Sequence, residues 1–245
     1  MGRIVATALG FLLFVGAATA ADAPKAGVIT GVTGEATIAH VDAAQPVPVS
    51  LRGDVLFQDR IDTQEKSGVR ILLGGKAVMT VRELSSVTIE EQPRRAVAEV
   101  QWGQLVLRVL RDLTATGEVV EVHTPNAISA VRGSLLITEI GGTADNPETT
   151  FKALEVHTPI LVSSRADPTR TTPLAVGQAV SVRGKGQAAS LSRVRQMPPA
   201  ELQRERRVAE RLYHPLHRRL RGGAAQEARS RKRAAPNEPP QHPRR

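Results

Sequence analysis

Two histidines occupy the same place in a repeated pentapeptide and are the first candidates for chemistry. The sequence EVHTP at Glu121–Pro125 recurs at Glu155–Pro159. Imidazole is a common metal ligand, so His123 and His157 could form a ligand pair. Neither has further ligands at metal-binding spacing, so we expect hydrogen-bonded strand-end histidines and no metal or other cofactor. The repeat itself favours two equivalent strand ends in a repetitive fold, with chance recurrence as the alternative.

Three aspartates, Asp54, Asp59 and Asp62, form a second candidate group, because carboxylates bind calcium. Their spacing does not match an EF-hand loop, and aspartate also caps turns through its own backbone. We therefore interpret all three as turn residues.

Residues for covalent catalysis are hard to assemble from this sequence. Ser134 lacks the G-x-S-x-G context of a nucleophile elbow, and no accompanying His/Asp set can be identified. The chain contains no cysteine, which excludes disulfides, thiolate zinc sites and cysteine nucleophiles. Arg132 is expected to pair with a carboxylate or carbonyl groups rather than with a ligand. The sequence therefore predicts a protein that is not an enzyme.

Of the net charge of +9, +8 lies in the C-terminal part of the chain and Arg3 contributes the rest. Residues 196–245 contain 13 Lys/Arg and 5 Asp/Glu, whereas residues 21–195 contain 19 of each. Aromatic residues make up only 2%, so base-stacking platforms are missing and nucleic acid is not expected. An anionic wall polymer, membrane surface or acidic envelope protein is the expected partner, and a merely solvated tail is the alternative. The candidate contacts are Arg204, Arg206, Arg207, Arg211, Arg218, Arg219 and Arg221.

The elements that must position these residues are short strands. Between residues 27 and 186 we find alternating apolar residues, frequent glycines and no helical pattern. The clearest hairpin runs from Val69 to Val81 around Gly74 and Gly75, and we place Leu73 and Val81 on its inner face. The fold class is predicted as all-β, with short strands in stacked hairpins that form either a solenoid or a sandwich.

The stretch 122–138 organises this pattern, because it contains a strand, a break at Pro125, a second strand, a turn at Gly133 and a third strand. We therefore interpret this stretch as a structural element and not as a reaction centre.

The two ends of the chain have different compositions. Residues 1–20 combine Arg3, an apolar run and a small-x-small site ending at Ala20, which predicts a cleaved signal peptide, a periplasmic or secreted location and no membrane span in the mature chain. Residues 27–190 form the predicted β domain. Residues 196–223 predict a basic amphipathic helix, kinked at Pro215, and 224–245 predict disorder.

The order of the turn and strand motifs resembles the FecR-type domain family, over a third to a half of the chain. The matching positions are Gly53, Asp54, Asp62, Thr63, Gly75, Thr124, Pro125, Ala127, Val131, Arg132, Gly133 and Ser134. The usual family pattern has Gly-Thr where this chain has Gly133-Ser134. The resemblance implies an all-β domain exposed to the bacterial periplasm. Only Met1–Arg3 precede the apolar run, so we do not expect the cytoplasmic anti-sigma segment that signalling members carry.

Two functional hypotheses follow from these observations. In the first, the chain is an exported, non-enzymatic module for interaction or sensing in the bacterial cell envelope. In the second, it is a structural envelope protein that its basic C-terminal tail anchors to anionic lipid or wall polymer.

Overall fold

The structure is a computed structural model that describes residues 24–92, 95–110 and 117–212. It confirms the predicted all-β class, with one helix near the C-terminal end of the described chain. The predicted signal peptide, the predicted disordered tail and residues 213–223 of the predicted helix lie outside the described residues.

Strand pairing separates the strands into two sheets. Sheet A contains β1 (Lys25–Thr33), β4 (Asp54–Leu56), β6 (Gly68–Leu73), β7 (Ala77–Val81), β12 (Ser134–Gly142), β13 (Pro147–Val156), β16 (Gln178–Arg183), β17 (Ser190–Leu191) and β18 (Arg195–Gln196). Sheet B contains β2 (Ala36–Ala39), β3 (Val47–Pro48), β5 (Arg60–Thr63), β8 (Ser86–Gln92), β10 (Val119–His123), β11 (Ala127–Val131), β14 (Ile160–Ser164) and β15 (Thr172–Leu174).

One long strand, β9 (Arg95–Val109), belongs to both sheets. Its first half pairs with β8 and, in parallel, with β10 in sheet B. Its second half pairs with β7 and β12 in sheet A. Because β9 crosses between layers, the sheets form a sandwich joined along one strand, which decides between the two architectures predicted from the sequence.

The core between the sheets is aliphatic. Buried side chains from sheet A, such as Ile71 and Leu107, share one cluster with residues of sheet B such as Ile89 and Val100. Leu73 and Val81 are also buried in this cluster, which confirms the inner face predicted for the hairpin around Gly74 and Gly75. Burial of this apolar area supplies the main driving force for folding.

Two corners of the sandwich use the same glycine–serine arrangement. Gly103 has φ +92°, and a Cβ there would lie 2.1 Å from Ser85 Oγ. Ser85 Oγ accepts a hydrogen bond from the Gln104 N–H at 2.9 Å. In the same way, a Cβ on Gly34 would lie 2.3 Å from Ser67 Oγ, which accepts the Glu35 N–H at 2.8 Å. A glycine at these corners lets a serine hydroxyl approach and satisfy the next backbone amide.

The helix, α1, occupies residues 199–212 and packs on the outer face of sheet A. The side chains of Leu202, Ala209 and Leu212 face the strands, with Ala209 completely buried. Beneath them lies a second apolar cluster composed of Val78, Val106, Leu135, Ile137, Leu154, Ala179 and Met197. The first part of the segment predicted as a separate basic helix is therefore packed against the β domain. No described helix has the length and apolarity needed to cross a membrane.

Charged groups fix the position of α1. Lys152 on β13 is buried and its Nζ lies 2.8 Å from Glu139 Oε2 and 3.2 Å from Glu205 Oε1 on the helix. Burial alone would lower the pKa of Lys152, but hydrogen bonds and charge interactions with the two glutamates hold it above its ordinary value. A buried ammonium needs such partners. The helix is therefore held on sheet A by a specific ion pair as well as by apolar contacts.

Removal of the helix should weaken the domain. A chain ending at Gln196 loses Met197, Leu202 and Ala209 and uncovers the apolar face of sheet A. We expect the free energy of unfolding to fall by about 3–6 kcal/mol, since each large buried apolar side chain contributes roughly 1.5–3 kcal/mol. Urea unfolding of this chain and of a control ending at Leu212 measures the difference. Equal midpoints for the two chains would contradict the role assigned to α1.

Candidate functional site

The buried amide of Asn126 lies at the turn between β10 and β11. Its Nδ2 donates to Pro147 O at 2.8 Å and to Val182 O at 2.9 Å, and both carbonyls belong to sheet A. Its Oδ1 accepts the Thr149 hydroxyl at 2.7 Å. Asn126 and Thr149 are both completely buried. The turn of sheet B is therefore hydrogen-bonded through one side chain to strands β13 and β16 of the opposite sheet.

The residues beside Asn126 complete this network, which we call the Asn126 staple and define as Thr124, Asn126, Thr149 and Arg165. Thr124 Oγ1 accepts the Ala127 N–H at 3.1 Å and a hydrogen bond from Thr149 Oγ1 at 3.0 Å. Arg165 Nε donates to Thr124 O at 2.6 Å, and the Arg165 N–H donates to Asn126 O. The motif residues Thr124 and Ala127 thus serve the architecture.

The first histidine of the repeat belongs to a charged group on sheet B. His123 Nε2 donates to Glu121 Oε2 at 2.7 Å, and Arg95 Nη2 donates to the same oxygen at 2.6 Å. The hydrogen bond from His123 lowers the pKa of Glu121, burial opposes this effect, and Arg95 adds to it. The pKa of Glu121 in the folded protein is therefore lower than that of an ordinary glutamate.

The second copy of the repeat has different surroundings. His157 Nδ1 donates to Gly133 O at 2.6 Å, and Glu155 accepts two hydrogen bonds from Arg108, which lower its pKa. Glu121 lies on β10 of sheet B, whereas Glu155 lies on β13 of sheet A. The two copies are therefore not equivalent strand ends. They share one property, which is that each glutamate pairs with an arginine of β9.

The three aspartates do not converge on a common point. Asp54 pairs with Lys25 at 2.6 Å, and Asp62 pairs with Arg60 at 3.0 Å. Asp59 is completely buried, where its Oδ1 accepts a hydrogen bond from His40 and its Oδ2 accepts the Leu56 N–H at 2.7 Å. Asp59 therefore caps a turn, as predicted, whereas Asp54 and Asp62 lie in strands β4 and β5, so the turn prediction is wrong for these two. In the described part of the chain, no cluster of three His, Asp or Glu residues has the geometry to hold a metal ion.

The remaining motif positions lie at turns and corners. Gly133 has φ +65° between β11 and β12, and Ser134 Oγ donates to Thr158 O at 3.2 Å. Thr63 Oγ1 donates to Arg82 O and Ser85 O and accepts the Ser85 N–H. Arg132 is exposed and makes no hydrogen bond or ion pair with other described residues, so the carboxylate or carbonyl partner predicted for it is not present among them.

The arginines predicted to meet an anionic surface divide into two groups within α1. Arg206 Nη2 donates to Leu154 O at 2.9 Å and so helps to seat the helix on sheet A. Arg204, Arg207 and Arg211 are exposed. The other three, Arg218, Arg219 and Arg221, lie outside the described residues.

A groove of about 670 Å³ lies between the edge of sheet A and the end of α1. Strand β1 forms one wall with residues 30–33, and Val208, Arg211 and Leu212 of the helix form another. Lys66, Arg70 and Arg82 also line it, together with Glu83. The groove combines cationic and apolar side chains, and this combination suits the binding of a negatively charged group.

Sequence reasoning missed the residues that hold the fold together through polar contacts. The sequence pattern assigns no polar side-chain role to Asn126, Lys152, Ser67 or Ser85. Asn126 stands directly after Pro125 between two apolar strands, and this context is a recognisable turn signal. Nothing in the sequence pairs Lys152 with Glu205, because the partners come from distant elements.

Comparison with known proteins leaves the family open. No protein-family model matches the chain, and no curated protein matches it significantly. Two crystal structures of a "putative anti-sigma factor" from Parabacteroides distasonis ATCC 8503 are similar to it, with 13% sequence identity and a TM-score of 0.45. Each match covers 56% of this chain and 59% of that chain, which is less than two thirds of its length. At this level of similarity the comparison assigns no activity to the chain.

The Asn126 staple should be sensitive to a charge. In Asn126→Asp a carboxylate would face the carbonyls of Pro147 and Val182, so we expect a loss above about 3 kcal/mol in the free energy of unfolding. Asn126→Ala should lose about 2–4 kcal/mol. The difference in the free energy of unfolding between wild type and Asn126→Asp should shrink as pH falls, since protonation of the aspartate removes the buried charge. Asn146→Asp, at an exposed turn, is the control, and an equal loss there would refute the staple.

Glu121 should make stability depend on pH. The pKa of Glu121 is lowered on folding. Its contribution to the free energy of unfolding is therefore complete above the ordinary pKa of 4.5 and is lost as the pH falls through the pKa of the folded protein. The difference in unfolding free energy between wild type and Glu121→Gln should be constant near neutral pH and shrink below about pH 4.5. Urea titrations from pH 7 to pH 3 measure it. A matching profile in Glu65→Gln, at an exposed carboxylate, would contradict this assignment.

Proposed function

We propose that this protein is an exported, non-enzymatic FecR-type module that binds a partner in the bacterial cell envelope. One observation carries the proposal: the family-like motif residues Thr124 and Ala127 belong to a buried network that fixes the sandwich, while a cationic groove stays open on its surface. The motif residues hold a rigid body, and the surface of that body is available for interaction.

The paired polar groups support a binding role over a catalytic one. The side chains that could have carried chemistry, including His123, His157 and Asp59, each have a structural partner within the fold. None of these three side chains lines the groove, whose charged side chains are mainly cationic. Localisation in the periplasm is part of this proposal and follows from the resemblance and from residues 1–20.

The proposal is tested in cells by fractionation and crosslinking. The full chain is expressed in a bacterial host that encodes it, with a photo-crosslinking amino acid at Leu51, Leu161 or Val176, which are exposed at three separate places. We expect envelope-fraction protein that begins at Ala21 and an adduct with one envelope protein from at least one position. Cytosolic protein that still begins at Met1, or identical adducts from all three positions, would contradict the proposal.

A second function, anchorage to an anionic surface, is favoured by the exposed arginines Arg204 and Arg207 on α1. Leu202 and Ala209 pack against sheet A, so the described part of the helix offers charge without an apolar face for insertion. Attachment to phosphatidylglycerol vesicles should then vanish near 1 M salt, where charges are screened beyond about 3 Å. Binding that persists at 1 M salt would indicate apolar insertion and contradict this electrostatic anchorage.

A further inference from the structure

The edge of sheet A at the groove has an unpaired stretch of backbone. Strand β1 pairs with β4 along Lys25–Val28 and with β6 along Gly27–Thr33. At Ile29 the outer side is closed by the loop, because the Ile29 N–H donates to Gly53 O and the Arg52 N–H donates to Ile29 O. From Gly31 to Thr33, β1 has a strand neighbour on one side only among the described residues. Such an edge offers hydrogen-bonding groups to an added strand.

The side chains around this edge set the charge of a ligand. Four cationic side chains, those of Lys66, Arg70, Arg82 and Arg211, line the groove against the single carboxylate of Glu83. The Glu83 carboxylate already accepts a hydrogen bond from the backbone N–H of Lys66 at 2.8 Å. The Lys66 side chain is 87% exposed. The groove therefore attracts negative charge, and water can be displaced from Lys66 without breaking a buried contact.

Apolar surface in the groove adds a second recognition element. Leu51 is 52% exposed at the rim, and Val208 and Leu212 line the helical wall. An added strand places alternate side chains on opposite faces, so the row that faces the groove can meet both this apolar wall and the cations beside it.

The C-terminal part of this chain does not match the groove in charge. Residues 213–245 contain nine Lys/Arg and two Asp/Glu, so the tail has the same sign as the groove. Like charges in contact are unfavourable, which argues for an occupant from another molecule.

We propose that the groove binds an extended, acidic segment of a partner protein, which adds as a strand to the Gly31–Thr33 edge of β1. Its carboxylates then pair with Lys66, Arg82 and Arg211. This inference rests on the proposed role in partner binding and specifies the surface and the chemistry of the partner.

The test uses the full mature chain and fluorescent ten-residue peptides. The acidic probe alternates threonine and glutamate, and the control probe alternates threonine and lysine. We expect the acidic peptide to bind with a Kd below about 1 mM, to protect the Gly31–Thr33 amides from hydrogen exchange, and to weaken with salt, while the lysine peptide does not bind. Absence of binding at 1 mM, or equal binding of both peptides, overturns the proposal.

Charge-reversal variants locate the site. The double variant Lys66→Glu/Arg211→Glu should weaken binding of the acidic peptide at least about tenfold, because two attractive charges become repulsive. The matched control Arg170→Glu/Lys185→Glu, at exposed cations away from the groove, should change affinity less than about twofold. Equal losses in the two double variants would mean that net charge alone drives binding and would overturn the groove.

Peptide backbone methylation tests strand addition without any change in the protein. Two versions of the acidic peptide carry N-methyl groups on alternate residues. Successive N–H groups of a strand point to opposite edges, so each version blocks the donors on one edge of the bound peptide. Only the version methylated on the edge facing β1 should lose affinity, by at least about tenfold, because its N–H donors are removed. Unchanged binding of both versions overturns strand addition.

Two further outcomes separate this inference from its alternatives. If phosphatidylglycerol vesicles bind through Lys66 and Arg211 and displace the peptide without β1 protection, the groove is an anionic-lipid site and the peptide proposal fails. If envelope crosslinks form only at Leu161 or Val176, partner binding stands and the groove proposal fails.

Discussion

The buried amide of Asn126 is the constraint on which the arrangement of the two sheets depends. Its donors and acceptor are satisfied only when the β10–β11 turn, the start of β13 and the end of β16 occupy their native places together. A half-satisfied amide in the core costs more than an apolar residue of the same size. The network therefore penalises any arrangement that shifts one sheet against the other at this end, and Arg165 extends it to β14 and Glu99.

An aliphatic core makes such polar fixing necessary. The described core consists mainly of Val, Ile, Leu and Ala, with Phe151 as its largest side chain. Apolar attraction has no direction, so alternating strands of similar residues allow several registers with similar burial. The close approach of Gly103 to Ser85 and of Gly34 to Ser67 fixes two corners, and the Asn126 staple fixes the end that contains the first EVHTP copy. Register is thus determined by a few buried polar contacts.

The sequence allowed prediction of the elements but not of what covers them. Alternation along Val69–Leu73 and Ala77–Val81 predicts the hairpin because a strand with one face on the core repeats every two residues. On β7 and the first half of β12, however, residues on both faces are buried. The run Leu135–Ile137 was a signal that sheet A has a cover, and α1 provides it. The position of the helix could not be predicted, because its seat depends on Lys152 and Glu205, which are distant in sequence.

The repeated EVHTP shows why a local motif is weak support for a site. Identical residues gave one histidine bound to a carboxylate and another bound to a carbonyl, because the strands that contain the two glutamates, β10 and β13, belong to different sheets. Pairing with β9 is what the copies share, through Arg95 and Arg108 at its two ends. Since β9 passes through both sheets, these pairs connect sheet B and sheet A to one strand. In the proposed binding role, the partner is recognised by groups that do not take part in packing the domain. These groups are the open edge of β1 and the exposed cations beside it. In this proposed role, the basic tail has the same sign of charge as the groove, so both attract an acidic partner.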